Sequence, residues 1–283
     1  MKSTNSQLVE HLQKEMQYRN YSPSSVNTYG SLMSNLEKHF DISLDKITIQ
    51  QFKDYLHHRI THGGVSTSMI NQSISAFKIL QTDILGRNWE PLKIKRPRRE
   101  KKLPVILSLN EIENLISITS NLKHRALLML AYSSGLRRQE VQQIKPSAID
   151  SARMQVHVVQ AKGHKDRYTI LSAKTLETLR LYYKYERPLQ YLFESQVRKG
   201  HYLSDTTLNK IVKNNAAKAG IKKEVSFHTL RHCFATHLLE KGINLRLIQK
   251  YMGHVSLKTT SIYLHLADIE PASITSPLDT MNV

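Results

Sequence analysis

The chain has 283 residues, 40% of them apolar, and carries 41 Lys and Arg against 23 Asp and Glu, a formal net charge of +18. Such a chain is typical of a globular protein with one large or two medium domains. It shows neither a signal peptide nor an apolar run of about 18 residues, so we expect a cytoplasmic protein. A single cysteine, Cys233, excludes both a disulfide framework and a cysteine-rich zinc site.

The net charge predicts a polyanionic partner. Nucleic acid is favoured, because neutralising backbone phosphates releases counterions and drives binding whatever the base sequence. An anionic membrane surface is less well supported, since the basic residues are spread through globular segments without a lipidation motif or a strongly apolar helix face. A basic protein without such a partner is the alternative.

Residues 1–92 are predicted to form a helical unit. Apolar residues recur at helical spacing in SQLVEHLQKEM and in SPSSVNTYGSLMSNLEKHF, where Ser22 suits the N-cap and Pro23 the first helical position. Thr48 and Gln51 have the spacing of a capping box before a third helix, and SMINQSISAFKILQTDIL supplies a fourth. Four helices of these lengths favour a compact bundle.

Residues 93–104, KIKRPRREKKLP, contain seven basic side chains, one acid and two prolines. Proline removes backbone donors and like charges repel, so this segment is predicted to be an extended linker. Between two domains of a basic protein, we interpret it as a strap along a phosphate backbone. A solvated charge run is the alternative.

Residues 105–283 are predicted to form a second, mostly helical domain. A capping box at Ser108 and Glu111 begins one helix, and HRALLMLAY is apolar enough to be buried. The alternating pattern of MQVHVVQAKGHKDRYTIL predicts a β-hairpin. Further helices are predicted up to LKTTSIYLHL, and the polar segment DIEPASITSPLDTMNV is predicted to be a loose tail.

HTLRHCFATH, residues 228–237, is rich in potential metal ligands. His228 and His232 lie four residues apart, a spacing that zinc accepts, with Cys233 or His237 as further ligands. We disfavour zinc, because Cys233 and His237 lie away from the His228 face, a threonine replaces the glutamate of metalloproteases, and Arg231 would place a cation beside the metal.

An anion site explains this stretch better. His228 and Arg231 are three residues apart and therefore neighbours on a helix surface, where both can donate to one oxyanion. The apolar side of the same helix lets His232 and His237 be ordinary packed or surface histidines. A structural role for the His-x-x-Arg pair is the alternative.

Three other stretches contain candidates of the same kind. Arg137 follows a Gly135 turn at the start of a helix, where backbone amides also favour anions. Lys162 lies at the predicted hairpin tip, His254 at a helix end, and Tyr263 nine residues later in a predicted amphipathic helix. Each of them alone is equally typical of a surface or core residue.

Together these motifs carry a resemblance to a known family. They are Gly-Leu-Arg-x-x-Glu from Gly135, Lys-Gly-x-Lys-Asp-Arg from Lys162, His-x-x-Arg-His-x-Phe-Ala-Thr-His from His228, and Gly-His with a tyrosine nine residues after His254. In order and spacing the chain resembles the tyrosine recombinase (phage integrase) family, especially its Xer-like branch.

The resemblance covers residues 108–263 and implies a mainly α fold. The first 92 residues would form a helical core-binding, SAM-like bundle. Residues 105–283 would form a mostly helical catalytic domain with a small β-hairpin, the DNA breaking-rejoining fold.

The resemblance also implies a site that cuts a DNA strand without a metal or other cofactor. Tyr263 would be the nucleophile and would give a 3′-phosphotyrosine and a free 5′-hydroxyl. Arg137 and Arg231 would bind the non-bridging phosphate oxygens, and His254 would add a further donor.

Two proton-transfer roles follow from the same resemblance. Lys162 would be the general acid for the leaving 5′-oxygen, and His228 would help to take the proton from the tyrosine. The family commonly has glycine where this chain has Ala161, and Lys165 is a rival for Lys162. Glu140 is interpreted as an orienting carboxylate, with an exposed helix-surface carboxylate as the alternative.

The implied partner is double-stranded DNA with a specific recombination site. Four identical protomers, or a heterotetramer with a related recombinase, would exchange strands through a Holliday junction on a bacterial chromosome or mobile element, and the protein would be nucleoid-associated. The helix over residues 204–219, with Lys210, Lys213 and Asn214, is a candidate to enter the major groove. A type IB topoisomerase-like enzyme and a non-catalytic DNA-binding accessory protein are the two alternatives.

Overall fold

The computed structural model describes residues 6–89, 96–97, 103–161, 165–198 and 200–267, without the side chains of residues 160, 161 and 165. The chain divides into two compact units, residues 1–102 and 103–283. Both are built mainly of helices, which confirms the predicted fold class. No helix among the described residues is long and apolar enough to cross a membrane.

The first unit contains four α-helices, each predicted from the sequence. They are α1 (Gln7–Tyr18), α2 (Pro23–Phe40), α3 (Ile49–Thr61) and α4 (Thr67–Ile79), and a π-helical turn (Leu80–Ile84) extends α4. The oxygen of Ser22 accepts a hydrogen bond from the Ser25 amide, and Thr48 and Gln51 form the predicted capping box. Local sequence therefore determines where these helices begin.

The core of the first unit lies between these helices. Phe52 of α3 stacks on Phe77 of α4 with ring centroids 3.9 Å apart, and Leu12 and Met33 are fully buried beside them. Of the predicted linker over residues 93–104, the structure describes 96–97 and 103–104. Within it, Arg96 donates hydrogen bonds to two oxygens of α4, in Asn71 and Ser75.

The second unit combines helices with one small antiparallel sheet. Its elements are α5 (Leu109–Ser117), α6 (Leu122–Ser133), α7 (Arg138–Gln143), β1 (Ile149–Asp150), β2 (Gln155–Ala161), β3 (Lys165–Ile170), α8 (Ala173–Glu186), α9 (Asp205–Lys218), α10 (Phe227–Glu240), α11 (Leu245–Met252) and α12 (Leu257–Thr260).

The sheet has the order β1-β2-β3, with His157 opposite Tyr168 in the β2-β3 pair. The predicted hairpin is therefore present, and β1 adds a short third strand.

Two apolar clusters form the interior of the second unit. The larger one surrounds α6, which is buried as predicted. The smaller one joins Phe234 and Leu239 of α10 to Ile248 and Met252 of α11, and it includes Tyr263. The smaller cluster thereby brings Tyr263 against the helix that carries the histidine-rich stretch.

The segment around Tyr263 differs from the predicted amphipathic helix. Helix α12 ends at Thr260, and Ser261–His265 form a 3₁₀-helix. Consecutive threonine, serine and isoleucine side chains favour the α-helix only weakly, and the tighter 3₁₀ turn directs the Tyr263 ring inward, where 2% of it is exposed. The predicted tail over residues 268–283 lies outside the described residues.

Candidate active site

Arg231 lies on the buried face of α10, with 4% of its surface exposed. Its Nη1 donates to the carbonyl oxygen of Gly135, and its Nη2 donates to that of Met252. Nη2 also lies 3.0 Å from Nε2 of His254. Burial and the nearby charge of Arg137 lower the pKa of Arg231 to about 9, so that the guanidinium is still charged at neutral pH.

Arg137 occupies the N-cap of α7. Its backbone amide and its Nη1 donate to the Glu140 carboxylate at 2.7 and 2.8 Å, and its Nη2 donates to the carbonyl oxygen of Gly253 at 3.0 Å. Because Met252 and Gly253 are consecutive residues, Arg137 and Arg231 are anchored on adjacent carbonyl groups. The two guanidiniums therefore form one positively charged cluster.

Arg167 of β3 completes the support of this cluster. Its two terminal nitrogens donate to the two carboxylate oxygens of Glu140, each at 2.7 Å, and its Nε donates to the carbonyl oxygen of Tyr251. Burial opposes ionisation of Glu140, but hydrogen bonds and charge from Arg167 and Arg137 outweigh it and lower the pKa of Glu140 to about 2. The position of Glu140 agrees with its interpretation as an orienting carboxylate.

His254 follows α11 and contacts Arg231. A guanidinium can only donate, so Nε2 of His254 accepts the hydrogen bond from Arg231, and Nδ1 carries the proton toward Oγ1 of Thr260 at 2.9 Å. Burial and the charge of Arg231 lower the pKa of His254 to about 3. In this state the ring is neutral and its orientation is fixed from both sides.

The phenol of Tyr263 reaches the same helix. Its oxygen lies 3.0 Å from Nδ1 of His232, the residue that follows Arg231. Burial raises the pKa of Tyr263 to about 12, although the guanidiniums of Arg231 and Arg137 act in the opposite direction. The structure thus joins the predicted nucleophile to His232, which the sequence alone predicts to be an ordinary packed or surface residue.

His228 lies one helical turn before His232, and its side chain is exposed. Desolvation by its surroundings and the charges of Arg138, Arg231 and Arg137 lower the pKa of His228. Arg138 itself forms a salt bridge with Asp205 at the start of α9. His228 is therefore a neutral, accessible imidazole beside the arginine cluster at neutral pH.

The structure brings five of the six predicted site residues together in the second unit. They are Arg137, His228, Arg231, His254 and Tyr263. Lys162 lies outside the described residues, as does the side chain of its rival Lys165, so the choice between the two lysines stays a prediction.

The predicted base-reading residues lie on α9. Lys210, Lys213 and Asn214 have exposed side chains, whereas Leu208 and Val212 of the same helix are buried. The helix therefore presents polar side chains to solvent, and their contact with bases stays a prediction.

The side chains of the histidine-rich stretch, residues 228–237, do not meet at one common site. His237 lies between the Tyr132 hydroxyl and the carbonyl oxygen of Leu107, and Cys233 accepts a hydrogen bond from the Leu107 amide. His232 faces Tyr263 instead. Among the described residues, no group of three or more His, Cys, Asp or Glu side chains is arranged to hold a metal ion.

Two residues of this site were not assigned a role from the sequence. Arg167 ends the Lys-Gly-x-Lys-Asp-Arg motif, and a signal was present there, since a buried arginine in a strand needs a carboxylate partner. His232 gave no separate signal, because its partner Tyr263 lies 31 positions away in sequence.

Chemically, this arrangement suits a tetrahedral oxyanion. Two oriented guanidiniums supply donors in a desolvated setting, and a phenol and an imidazole lie beside them. A phosphodiester has the charge and the oxygen atoms that such a cluster binds.

Comparisons with known proteins agree with this reading. Residues 106–270 match the family described as Phage integrase family, and residues 8–91 match the Phage integrase, N-terminal SAM-like domain. The tyrosine recombinase XerD of Staphylococcus saprophyticus is 33% identical over 270 residues, 86% of this chain and 89% of the relative. The tyrosine recombinase XerA of Pyrococcus horikoshii is 34% identical over 207 residues, 72% of each chain.

Solved structures show the same similarity. The XerH site-specific recombinase bound to difH substrate, in a pre-cleavage complex, matches with a TM-score of 0.72 and 25% identity, covering 93% of this chain and 82% of that one. A lambda integrase tetramer bound to a Holliday junction matches with a TM-score of 0.73 over 95% of this chain and 79% of that one. At 20% identity the second match shows the fold alone.

Proposed function

This chain belongs to the phage integrase family as a tyrosine recombinase, and we propose that it cuts and rejoins DNA through a 3′-phosphotyrosine intermediate. One observation carries the proposal. The phenol of Tyr263 hydrogen-bonds to the residue next to Arg231, whose guanidinium is fixed on carbonyl groups beside that of Arg137. A nucleophile and an anion site therefore lie in one place.

The two arginines bind the scissile phosphate. Their side chains are fixed by Glu140, Gly135, Met252 and Gly253, so little reorganisation is needed when negative charge builds up on the non-bridging oxygens. Negative charge on the phosphate also favours protonation of His254, whose Nε2 then gives up the hydrogen bond from Arg231 and donates to a phosphate oxygen. These groups stabilise the pentavalent transition state.

The covalent step exchanges one phosphodiester for another. The oxygen of Tyr263 forms a bond to phosphorus, and the bond from phosphorus to the 5′-oxygen breaks. Lys162 donates a proton to that oxygen, and His228 assists in removing the phenolic proton. Because the intermediate is still a phosphodiester, reversal rejoins a strand without an external energy source.

The polynucleotide partner follows from the charge and the fold. We assign DNA contacts to the helical unit over residues 1–92, to the basic segment 93–104 and to the catalytic domain over 105–283, with a net charge of +18 to neutralise phosphates. Four protomers on two recombination sites exchange strands through a Holliday junction in this proposal, on a bacterial chromosome or mobile element.

The test is to incubate the protein, in EDTA, with nicked suicide duplexes taken from DNA that flanks its own gene. We expect a covalent protein-DNA band that disappears in Tyr263→Phe. The matched control is Tyr132→Phe, which also removes a hydroxyl bonded to a histidine of α10, His237, and should keep the band.

Other outcomes identify the alternatives. DNA binding without an adduct indicates an accessory DNA-binding protein. An adduct with relaxation of supercoils, but without strand exchange between two sites, indicates a type IB topoisomerase-like enzyme. An adduct that survives Tyr263→Phe means that another residue is the nucleophile.

A further inference from the structure

We infer that His232 is the immediate acceptor of the Tyr263 proton when the phenolic oxygen attacks phosphorus. This inference rests on the proposed function and adds a catalytic residue to it. His228 then acts as a neighbouring imidazole and not as the direct base.

The geometry carries the inference. Nδ1 of His232 lies 3.0 Å from the oxygen of Tyr263, within the distance at which a general base takes a proton directly. The ring centroids are 5.8 Å apart and the ring planes are tilted by 48°. In the described part of the chain, His228 forms no such bond, and its ring is exposed.

The surroundings of Tyr263 make a built-in acceptor necessary. Only 2% of this residue is exposed, and it lies in the apolar cluster of Phe234, Ile248 and Met252. Water has poor access to a hydroxyl in such a place, and burial raises the pKa of the phenol to about 12. Attack at neutral pH therefore requires a partner that takes the proton during the step.

The charges around His232 keep its lone pair available. His228 and Arg231 face it from its own helix, and His254 lies near it from the turn after α11. Burial lowers the pKa of His232 to about 4, and the neighbouring His228 and Arg231 act in the same direction, so the ring is neutral at neutral pH. A bound phosphate offsets the positive charge of Arg231 and makes the imidazole a stronger base when substrate is present.

The step balances in atoms and charge. A lone pair of the Tyr263 oxygen forms the bond to phosphorus while its proton moves to Nδ1 of His232, giving an imidazolium. The bond from phosphorus to the 5′-oxygen breaks, and the leaving oxygen receives a proton from Lys162. In the rejoining step, the imidazolium returns its proton to the phenolate as the tyrosine leaves.

The test is single-turnover cleavage of the nicked suicide duplex by His232→Asn. The amide oxygen can still accept the phenolic hydrogen bond, but it cannot take the proton. We expect cleavage at pH 7 to fall by about 10² to 10⁴ and then to rise about tenfold per pH unit as phenolate forms without a base. His237→Asn is the matched control, because His237 binds the Tyr132 hydroxyl in the same way, and it should leave the rate unchanged.

A second substrate separates the base from the acid. With sulfur replacing the bridging 5′-oxygen, the leaving group needs no proton, so the loss in Lys162→Met should be rescued. The loss in His232→Asn should persist. Melting curves and DNA binding of each variant check that it is folded.

Three results would overturn the inference. They are an unchanged or faster rate in His232→Asn, a loss that does not vary with pH, and rescue by the sulfur substrate. If wild-type protein forms no adduct, the proposed function itself fails. Imidazole ¹⁵N spectra of Tyr263→Phe, compared with those of Tyr132→Phe, then still test the hydrogen bond directly.

Discussion

Helix α10 supplies the histidine of two tyrosine-histidine pairs, whose tyrosines lie on other elements and whose surroundings differ. Near its C-terminal end, Tyr132 contacts Nδ1 of His237 at 2.9 Å, while Nε2 of the same ring bonds to the carbonyl oxygen of Leu107. Nearer its start, Tyr263 contacts Nδ1 of His232 at 3.0 Å. Burial raises the pKa of both tyrosines to about 12.

The two pairs differ in the partner of the second imidazole nitrogen, Nε2, and in the residue next to the histidine. The Leu107 carbonyl can only accept, so Nε2 of His237 must keep its proton and the ring is fixed in one tautomer. Nothing comparable fixes His232 in the described contacts, and it adjoins Arg231. In the proposed mechanism, the same pair of residue types serves as a structural connection at His237 and as a reactive pair at His232.

The largest expected effect concerns Arg231, the residue next to His232. Arg231→Lys keeps a positive charge but loses the fork that bonds to two carbonyl groups. We expect single-turnover cleavage to fall by about 10² to 10³, because an oriented transition-state donor is lost. Arg125→Lys removes an arginine that bonds to the Thr119 carbonyl elsewhere in the unit, and it should cleave normally.

The next prediction concerns Glu140, the carboxylate that binds Arg137 and Arg167. Glu140 has its pKa lowered from 4.5 to about 2, so it stabilises the folded protein above pH 4.5, and this stabilisation is lost as the pH falls toward 2. Glu140→Gln should lower the free energy of unfolding at pH 7 by about 3 kcal/mol.

Urea unfolding at several pH values measures this difference, which should shrink below pH 4.5. The control Glu113→Gln changes an exposed carboxylate of α5 and should shift stability by less than about 0.5 kcal/mol. A difference that does not depend on pH would contradict the role of the charge.

Substitutions at Gly242 and Gly253 compare backbone geometry away from the arginine cluster with backbone geometry beside it. Gly242, after α10, has φ of 76° and open space where a Cβ would lie, so Gly242→Ala should cost about 1 kcal/mol of strain. Gly253 has φ of 60°, and a Cβ there would approach Cδ of Arg167 to 2.6 Å. Gly253→Ala should therefore be less stable in urea and should also cleave on the order of tenfold more slowly. Equal behaviour would mean that Arg167 adjusts freely.

The smallest effect compares the hydroxyl groups themselves. Tyr132→Phe should lower the free energy of unfolding by about 1 kcal/mol, because it leaves a nitrogen of the buried His237 unpaired. Tyr263→Phe should cost less, since His232 is only partly buried. Thermal unfolding measures both, and the reverse order would break the distinction between the structural and the reactive pair.

Features that depend on neighbouring residues were predictable from sequence. The spacing of three residues predicts the caps at Thr48 and Ser108, and the adjacent Pro23 predicts the cap at Ser22; a helix begins after each of them in the structure. The burial of α6 followed from its apolar composition.

Features that depend on contacts between residues far apart in the sequence were not predictable from the sequence. The inward position of the Tyr263 ring depends on the 3₁₀ turn and on the cluster that α10 and α11 form, which are far from each other in sequence. The Glu140-Arg167 bridge joins residues 27 positions apart. The motifs thus named five residues that the fold brings together, while the contacts that orient them required the three-dimensional arrangement.

The order of the site residues along the chain has a consequence for synthesis. Arg231 emerges from a ribosome before the Met252 carbonyl that anchors it, and Tyr263 emerges later still. A nascent chain that ends after α10 lacks both the Met252 carbonyl that completes the anchoring of Arg231 and Tyr263 itself. If the proposed mechanism holds, strand cutting therefore requires translation to proceed past Tyr263, and a product interrupted before that point leaves the DNA unnicked.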